Sequence, residues 1–334
     1  MPPLETLNAL LERAADFPET GLRFIDRREQ ASWASWAEIH SEARAVAGAL
    51  RRLGIEPGQR VAIVYPTSVE FFHAFFGILL AGAVPVPLYP PVRLGRLDEY
   101  HARTAAMLRA VDAHLVLADR RIRRLLGQTM RAAQVPLGCL TVRDLSRDGT
   151  ESFDALAVEP AALAMVQFSS GTTVDPKPVA LSHRAVLAQV RALNGFWPDA
   201  GRWAEVGDAD LAGVSWLPLY HDMGLIGCVF PALERPAVLT LIGPEVFVAR
   251  PSIWLRTLSR YRAMISVAPN FAYGLCVEKI RDDELDGVDL SSWRVALNGA
   301  EAVAPSVLRA FQQRFAQWGF RPEALTPVYG LSEA

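Results

Sequence analysis

The chain is short of the features that would tie it to metal clusters, cross-links, membranes or nucleic acid. Its three cysteines, Cys139, Cys228 and Cys276, stand apart, without CxxC spacing or neighbouring histidines. That excludes a zinc-ribbon pattern and a disulfide framework, and makes a reducing cytoplasm the simplest home. Charge of either sign is not in excess: 34 Lys and Arg against 36 Asp and Glu leave a net charge of −2. No electrostatic footprint for a nucleic-acid partner is present. A basic-then-apolar leader is missing too, because LETLNALLERAADF near the N-terminus reads as an amphipathic helix carrying acids. Nor is there an unbroken apolar run of spanning length. The stretch Phe71–Val92 is uncharged, but Pro85, Pro87, Pro90 and Pro91 interrupt it. A buried helix through about Leu80 followed by a short buried strand is expected there, and no transmembrane segment. Internal repeats and low-complexity segments are absent as well.

What remains is an alternation of helical and strand patterns joined by short turns. RVAIVYP at 60–66, VPVPL at 84–88 and HLVLAD at 114–119 read as buried strands. LAMVQFSS, VALSH, GVSWLP, AVLTLIG, MISVAP and RVALNGAE continue the series. Apolar, β-branched runs between helices indicate mostly parallel sheets layered with helices, hence an α/β fold. A chain of 334 residues makes two compact units or one large one. A weak boundary is expected near 147–159, where RDGTESFDALAVEP is polar and punctuated.

One segment carries chemistry on its face. QFSSGTTVDPKPVALSH at 167–183 delivers hydroxyls, a glycine and a lysine from an apolar strand into one tight loop. Gly171 lets backbone approach an anion, while Ser169, Ser170, Thr172 and Thr173 offer rotatable donors to phosphate oxygens. Lys177 adds a movable point charge. The spacing is not the GxxxxGK[ST] loop of common NTPases. The plainer alternative is a Ser/Thr-rich β-turn.

Further segments give the loop a context. SWLPLYHDMGLIG at 215–227, APNFAYGLC at 268–276, NGAEAV at 298–303 and YGLSEA at 329–334 follow in order. Together with the loop they resemble adenylate-forming, AMP-binding synthetases. With VPLYPP at 86–91 the wording is most similar to the fatty acyl-AMP ligase branch, which loads acyl groups onto carrier proteins. The resemblance runs from about Trp36 to the last residue. It implies the large N-terminal domain of the acyl-adenylate synthetase fold, incomplete at the C-terminus, with the small lid domain, its lysine and the ribose-binding aspartate beyond Ala334.

The activity implied is attack of a fatty acid carboxylate on the α-phosphorus of ATP, giving acyl-adenylate and pyrophosphate, then transfer to an acyl carrier protein. Long-chain acyl-CoA synthetase is the sibling alternative, and a truncated, non-catalytic nucleotide- or acyl-binding module the third. By resemblance, residues 169–173 and Lys177 grip the β,γ-phosphates and Glu333 coordinates Mg²⁺. Tyr329 stacks on adenine, with Asn298, Gly299, Ala300, Glu301 and Gly330 in the same nucleotide site and Ser332 reaching the α-phosphate. His221 orients substrate; a carboxylate needs no general base at neutral pH. Tyr329 as a core aromatic, Glu333 as a solvated acid, and Asn298 and Glu301 as caps of a helix starting near Pro305 are the structural alternatives. Met223, Gly224, Ile226, Pro269, Phe271, Ala272 and Leu275 are the expected acyl-tunnel residues, with Gly224 leaving room for the chain; ordinary core packing would need the same types. Val174 and Pro178 replace glycines common in the family, stiffening the loop. The helix expected over RRIRRLLGQTMRAA at 120–133 offers a basic face to an acidic carrier, to lipid headgroups or, as such faces more often do, to solvent.

Overall fold

The computed structural model describes residues 4–91, 97–145, 156–169, 176–199 and 212–331, with the side chains of 196–199 left out. The first elements are α1 (Leu7–Ala14), β1 (Gly21–Ile25), β2 (Ala31–Ser35), α2 (Trp36–Arg52), β3 (Arg60–Val64), α3 (Val69–Leu80) and β4 (Val84–Pro87). Next come α4 (Leu97–Ala110), β5 (Ala113–Ala118), α5 (Arg120–Leu125), α6 (Gly127–Ala133), β6 (Cys139–Leu140) and α7 (Val142–Leu145). A hairpin of β7 (Leu163–Ser169) and β8 (Lys177–Ser182) leads into α8 (His183–Asp199) and β9 (Gly213–Ser215). Then follow α9 (Asp222–Gly224), a π turn (Leu225–Val229), α10 (Phe230–Glu234), β10 (Val238–Ile242), α11 (Pro244–Ala249) and α12 (Ser252–Arg260). The chain continues through β11 (Ile265–Pro269), α13 (Asn270–Lys279), β12 (Val295–Gly299), α14 (Pro305–Phe315) and β13 (Leu325–Pro327).

These elements form two compact units. One comprises Met1–Pro18 with Ser35–Gln189, the other Glu19–Ala34 with Val190–Ala334. Of the boundary expected near 147–159, residues 147–155 lie outside the described ones.

The first unit holds a four-stranded sheet, β4-β3-β5-β6, whose pairings are parallel, and the antiparallel β7–β8 hairpin. Ser35 and Glu38 close a capping box on α2: the Glu38 N–H donates to Ser35 Oγ at 3.1 Å and the Ser35 N–H to Glu38 Oε2 at 2.8 Å. The proline-interrupted stretch after Phe71 behaves as expected, giving the twelve-residue buried helix α3 and then β4. Among the described residues no helix is long and apolar enough to cross a membrane.

The single basic helix expected over 120–133 is two helices. α5 buries none of its residues, and the chain turns at Leu126, which is fully buried, before α6 begins. Anchoring Leu126 in the core while leaving the arginines in water breaks the helical run.

The second unit is built on a sheet of order β13-β12-β11-β9-β10-β1-β2. From β13 through β1 the paired neighbours run parallel. An aromatic core of Trp254, Tyr273, Trp293, Phe311 and Phe320 fills one face, with rings meeting edge-on at centroid distances such as 5.1 Å for Trp254–Trp293 and 5.0 Å for Tyr273–Phe311. Its polar edges are satisfied: Trp254 Nε1 donates to Ser266 Oγ (2.9 Å), Ser266 Oγ to the Val214 carbonyl (2.6 Å), and the Tyr273 hydroxyl to the Leu297 carbonyl (2.9 Å). This core lies beneath β9, β11 and β12 and fixes where their ends stand.

Candidate functional site

In the second unit four motif segments begin where four neighbouring parallel strands stop. β9 ends at Ser215 and leads to His221, β11 ends at Pro269, β12 at Gly299, and β13 at Pro327, just before Tyr329. Parallel strands put their carboxyl ends on one edge of the sheet, the edge at which open α/β folds bind ligands. The register pairs Pro269 with Gly299 and Asn298 with Pro327, so three of the segments leave the sheet side by side.

Specific contacts join these segments. Asn298 is fully buried; its Nδ2 donates to Asn270 Oδ1 at 3.3 Å, and the same oxygen accepts the Ala304 N–H at 3.2 Å. Asn298 Oδ1 is buried without a hydrogen-bond partner. The Asn298 carbonyl accepts the Val328 N–H at 2.8 Å, carrying the β12–β13 pairing to the edge. At Gly299 a Cβ would lie 2.7 Å from the Val328 carbonyl oxygen, so only glycine lets the two segments approach this closely. Ala300 then takes a left-handed backbone, φ +66°, which costs a non-glycine residue about 1 kcal/mol. The kink presents Glu301, whose Oε1 accepts the Phe271 N–H at 2.6 Å.

The capping alternative is thereby corrected. α14 begins after Ala304 with no side-chain cap of its own, and its entry is held by Asn270, not by Asn298 or Glu301. Glu301 instead caps α13, where a carboxylate meets the unpaired amides and positive end of the helix. Asn270 is the residue that sequence reasoning missed, although it stands inside the quoted APNFAYG motif. Tyr329 is not a core aromatic: it is 90% exposed, and Leu331 beside it is also exposed.

On the β9 side, His221 precedes α9. Its Nδ1 lies 2.5 Å from Asp222 Oδ1, a spacing that needs a proton between the two atoms. Nδ1–H therefore donates to Asp222, and the Met223 N–H, 3.2 Å from Nδ1 and 2.6 Å from Asp222 Oδ1, belongs to the carboxylate. Asp222 fixes the ring, a role the histidine alone did not reveal. The helix continues through the π turn at Leu225–Val229, a distortion that recurs at functional sites. Cys228 Sγ donates to the Met223 carbonyl at 3.2 Å, and burial pushes this thiol up to about 12, leaving it a packing group.

The acyl-tunnel residues divide. Ala272 and Gly224 are buried, Met223, Ile226 and Pro269 are half-buried, and Phe271 is 48% exposed, its ring 6.0 Å from that of Trp216. Leu275 lines a pocket of about 320 Å³ together with Val248 and Ile280, with Arg250, Lys279 and Arg281 also in its walls. Gly224 does not leave room for a chain. A Cβ there would meet the Pro218 carbonyl oxygen at 2.2 Å, so its hydrogen is required by the backbone of the preceding turn.

In the first unit, Ser169 closes β7 and is buried, while Lys177 opens β8 on the exposed side; the two residues pair across the hairpin. Ser170, Gly171, Thr172 and Thr173 lie outside the described residues, as do Ser332 and Glu333. Among the described residues no group of three or more His, Cys, Asp or Glu side chains could hold a metal ion. Gly330 is exposed beside Tyr329.

The comparisons agree with this architecture. The profile of the family described as AMP-binding enzyme matches residues 11–334, and the chain belongs to that family. It is 33% identical over 336 residues to the long-chain-fatty-acid–AMP ligase FadD26 of Mycobacterium marinum, covering 97% of this chain and 56% of that protein. It is 31% identical to the medium-chain-fatty-acid–[acyl-carrier-protein] ligase JamA of Moorena producens, covering 90% of this chain and 50% of that one. A structure from a study of fatty acyl-adenylate ligases of E. coli and L. pneumophila superposes with a TM-score of 0.91 at 32% identity, over 98% of this chain and 58% of its own. The L. pneumophila fatty acyl-adenylate ligase in complex with acyl adenylate and pyrophosphate superposes at 0.86 with 30% identity, over 99% and 56%. The chain thus spans about half the length of the curated relatives it matches.

Proposed function

We propose that this chain is the nucleotide- and acyl-binding portion of a ligase that activates a fatty acid carboxylate with ATP and passes the acyl group to an acyl carrier protein. The observation that carries the reading is the convergence of four motif segments on the carboxyl ends of four adjacent parallel strands, β9, β11, β12 and β13. Relatives named as a long-chain-fatty-acid–AMP ligase and a medium-chain-fatty-acid–[acyl-carrier-protein] ligase suggest the substrate class.

The chemistry asks for positioning and charge neutralisation more than for a covalent nucleophile. Ser169, the hydroxyls of residues 170, 172 and 173, the amide of Gly171 and Lys177 would hold the β,γ-phosphates. Tyr329, open to solvent, would offer its ring to adenine, with Asn298 to Glu301 and Gly330 along the base and Ser332 at the α-phosphate. His221, held by Asp222, would orient the carboxylate. Met223, Ile226, Pro269, Phe271, Ala272 and Leu275 would line the acyl path. Magnesium, carried with the nucleotide and bound by Glu333, would supply charge neutralisation at the phosphates. A cytoplasmic setting suits such an enzyme.

Lys177 and Lys279 are the chain's two lysines, and both are exposed. Amine-directed labelling read by mass spectrometry therefore has an internal reference. Mg·ATP should lower modification of Lys177 at least threefold while Lys279 stays unchanged. Equal modification of both lysines with and without nucleotide would sink the assignment.

A further inference from the structure

The arginine-rich helices α5 and α6 are not absorbed by the site. Residues 120–133 contain Arg120, Arg121, Arg123, Arg124 and Arg131 and no acid. All five are exposed, and Arg123 alone is paired, at 2.6 Å from Asp144 Oδ2. The preceding acid, Asp119, uses its carboxylate on the N–H groups of Arg121 and Ile122, at 2.8 and 3.3 Å, as the α5 cap. Arg120, Arg121, Arg124 and Arg131 have no ion-pair partner among the described residues. Other arginines of the chain do meet acids: Arg250 and Arg256 meet Glu29, Arg281 meets Asp283, and Arg314 meets Asp282.

The face is built and held in place. Leu126 and Thr129 are buried under it, and Arg109 of α4 donates to the Ala132 carbonyl at 2.9 Å, tying α4 to α6. At 1.5 Å per residue the two helices measure roughly 9 and 10 Å, each comparable in length to one short helix of a partner. Residues 120–133 include no aromatic side chain on which a base could stack and no exposed large apolar side chain to enter a bilayer. Arginine without an aromatic or apolar neighbour suits bidentate pairing with carboxylates of a folded partner.

We infer that the α5–α6 face is a docking surface for the acidic helix of the carrier protein that accepts the acyl group. The inference rests on the proposed function for its choice of partner. The probe is a purified, fluorescently labelled holo-acyl carrier protein, titrated with the chain and followed by anisotropy at 50 and 300 mM salt.

Reversing Arg120, Arg121 and Arg124 to Glu should weaken binding at least tenfold at the lower salt and remove most of its salt dependence. Neutralising the same three to Gln should give a smaller loss, about threefold. A control triple in the other unit, Arg28→Glu, Arg294→Glu and Arg309→Glu, should stay within twofold. Circular dichroism and thermal midpoint check that each variant folds. No measurable carrier binding by the unaltered chain, equal losses in both Glu triples, or tighter capture by phosphatidylglycerol vesicles than by the carrier would each overturn the docking surface. Lys177 protection by Mg·ATP is read separately, so a failed docking test leaves the nucleotide site standing, and the reverse also holds.

Discussion

Glu301 Oε1 accepts the backbone N–H of Phe271 at 2.6 Å, tying the segment after β12 to the first turn of α13. A carboxylate at this place satisfies one orphan amide and faces the positive end of the helix. Glu301 therefore holds two motif segments in register before any ligand arrives.

Replacing Glu301 with Ala should lower stability by about 1 kcal/mol, the usual worth of a side-chain cap. Glu301→Gln keeps an acceptor oxygen and should recover about half of that loss. Urea midpoints of the three proteins check the order. Equal midpoints would mean that the contact does not support the fold and that Glu301 serves the ligand alone.

Gly224→Ala tests the opposite kind of relationship, one in which an atom must be absent. The new Cβ would be placed 2.2 Å from the Pro218 oxygen and 3.2 Å from the Leu217 oxygen, both backbone atoms that cannot swing aside. The turn carrying His221 would have to move, at a cost of about 1–3 kcal/mol. Denaturant unfolding reads the cost, and an unchanged midpoint would restore the view of Gly224 as open space.

How much of this was legible beforehand follows from what each signal depends on. Strand patterns placed β3 to β5 and β7 to β12 because apolar runs depend on local burial. The motif order brought four candidate segments to neighbouring strand ends because each motif directly follows its strand. β1 and β2 escaped notice: GLRFI and ASWAS sit among charges, and β1 is a strand through its parallel pairing with β10, more than two hundred residues away. Gly224 was ambiguous in principle, since glycine serves empty space and close approach equally well; the Pro218 carbonyl decides between them. The structural alternative for Glu301, a cap of the nearer helix, named the wrong helix because sequence distance hides that α13 begins beside it in space. The break at Leu126 is likewise a tertiary effect, in which burial of one side chain outweighs helical continuity.

Gln167 offers a test in the strand that leads to the hydroxyl-rich loop. It is 1% exposed, and neither Nε2 nor Oε1 has a hydrogen-bond partner. Burying an unpaired amide is costly, so Gln167→Met, close in volume, should raise stability by about 1–2 kcal/mol. Calorimetry reads the gain. A loss instead would show that the amide is held by a bound water or ligand in solution.

The last prediction concerns pH. His183, the first residue of α8, is buried, and its Nδ1 accepts the Leu7 N–H at 3.1 Å. Accepting that bond needs a lone pair, so protonation would break it, and burial lowers the imidazole to about 4 from its ordinary 6.5. The sign follows from proton counting. Above pH 6.5 both the folded and the unfolded chain carry a neutral ring, and the group adds no pH dependence. Between 6.5 and about 4 the unfolded chain binds a proton that the folded one excludes, so stability falls as pH falls, by at most about 3 kcal/mol across the window. Below about 4 both states are protonated and the term levels off. His40 and His73 are lowered mainly by burial as well and act in the same direction. His183→Gln keeps an acceptor for Leu7 and removes the titration. Denaturation midpoints of the two proteins from pH 7.5 to 4.5 should therefore diverge on the acid side, with the variant losing less. Parallel curves would mean that His183 titrates normally and that its bond to Leu7 does not hold α1 in place.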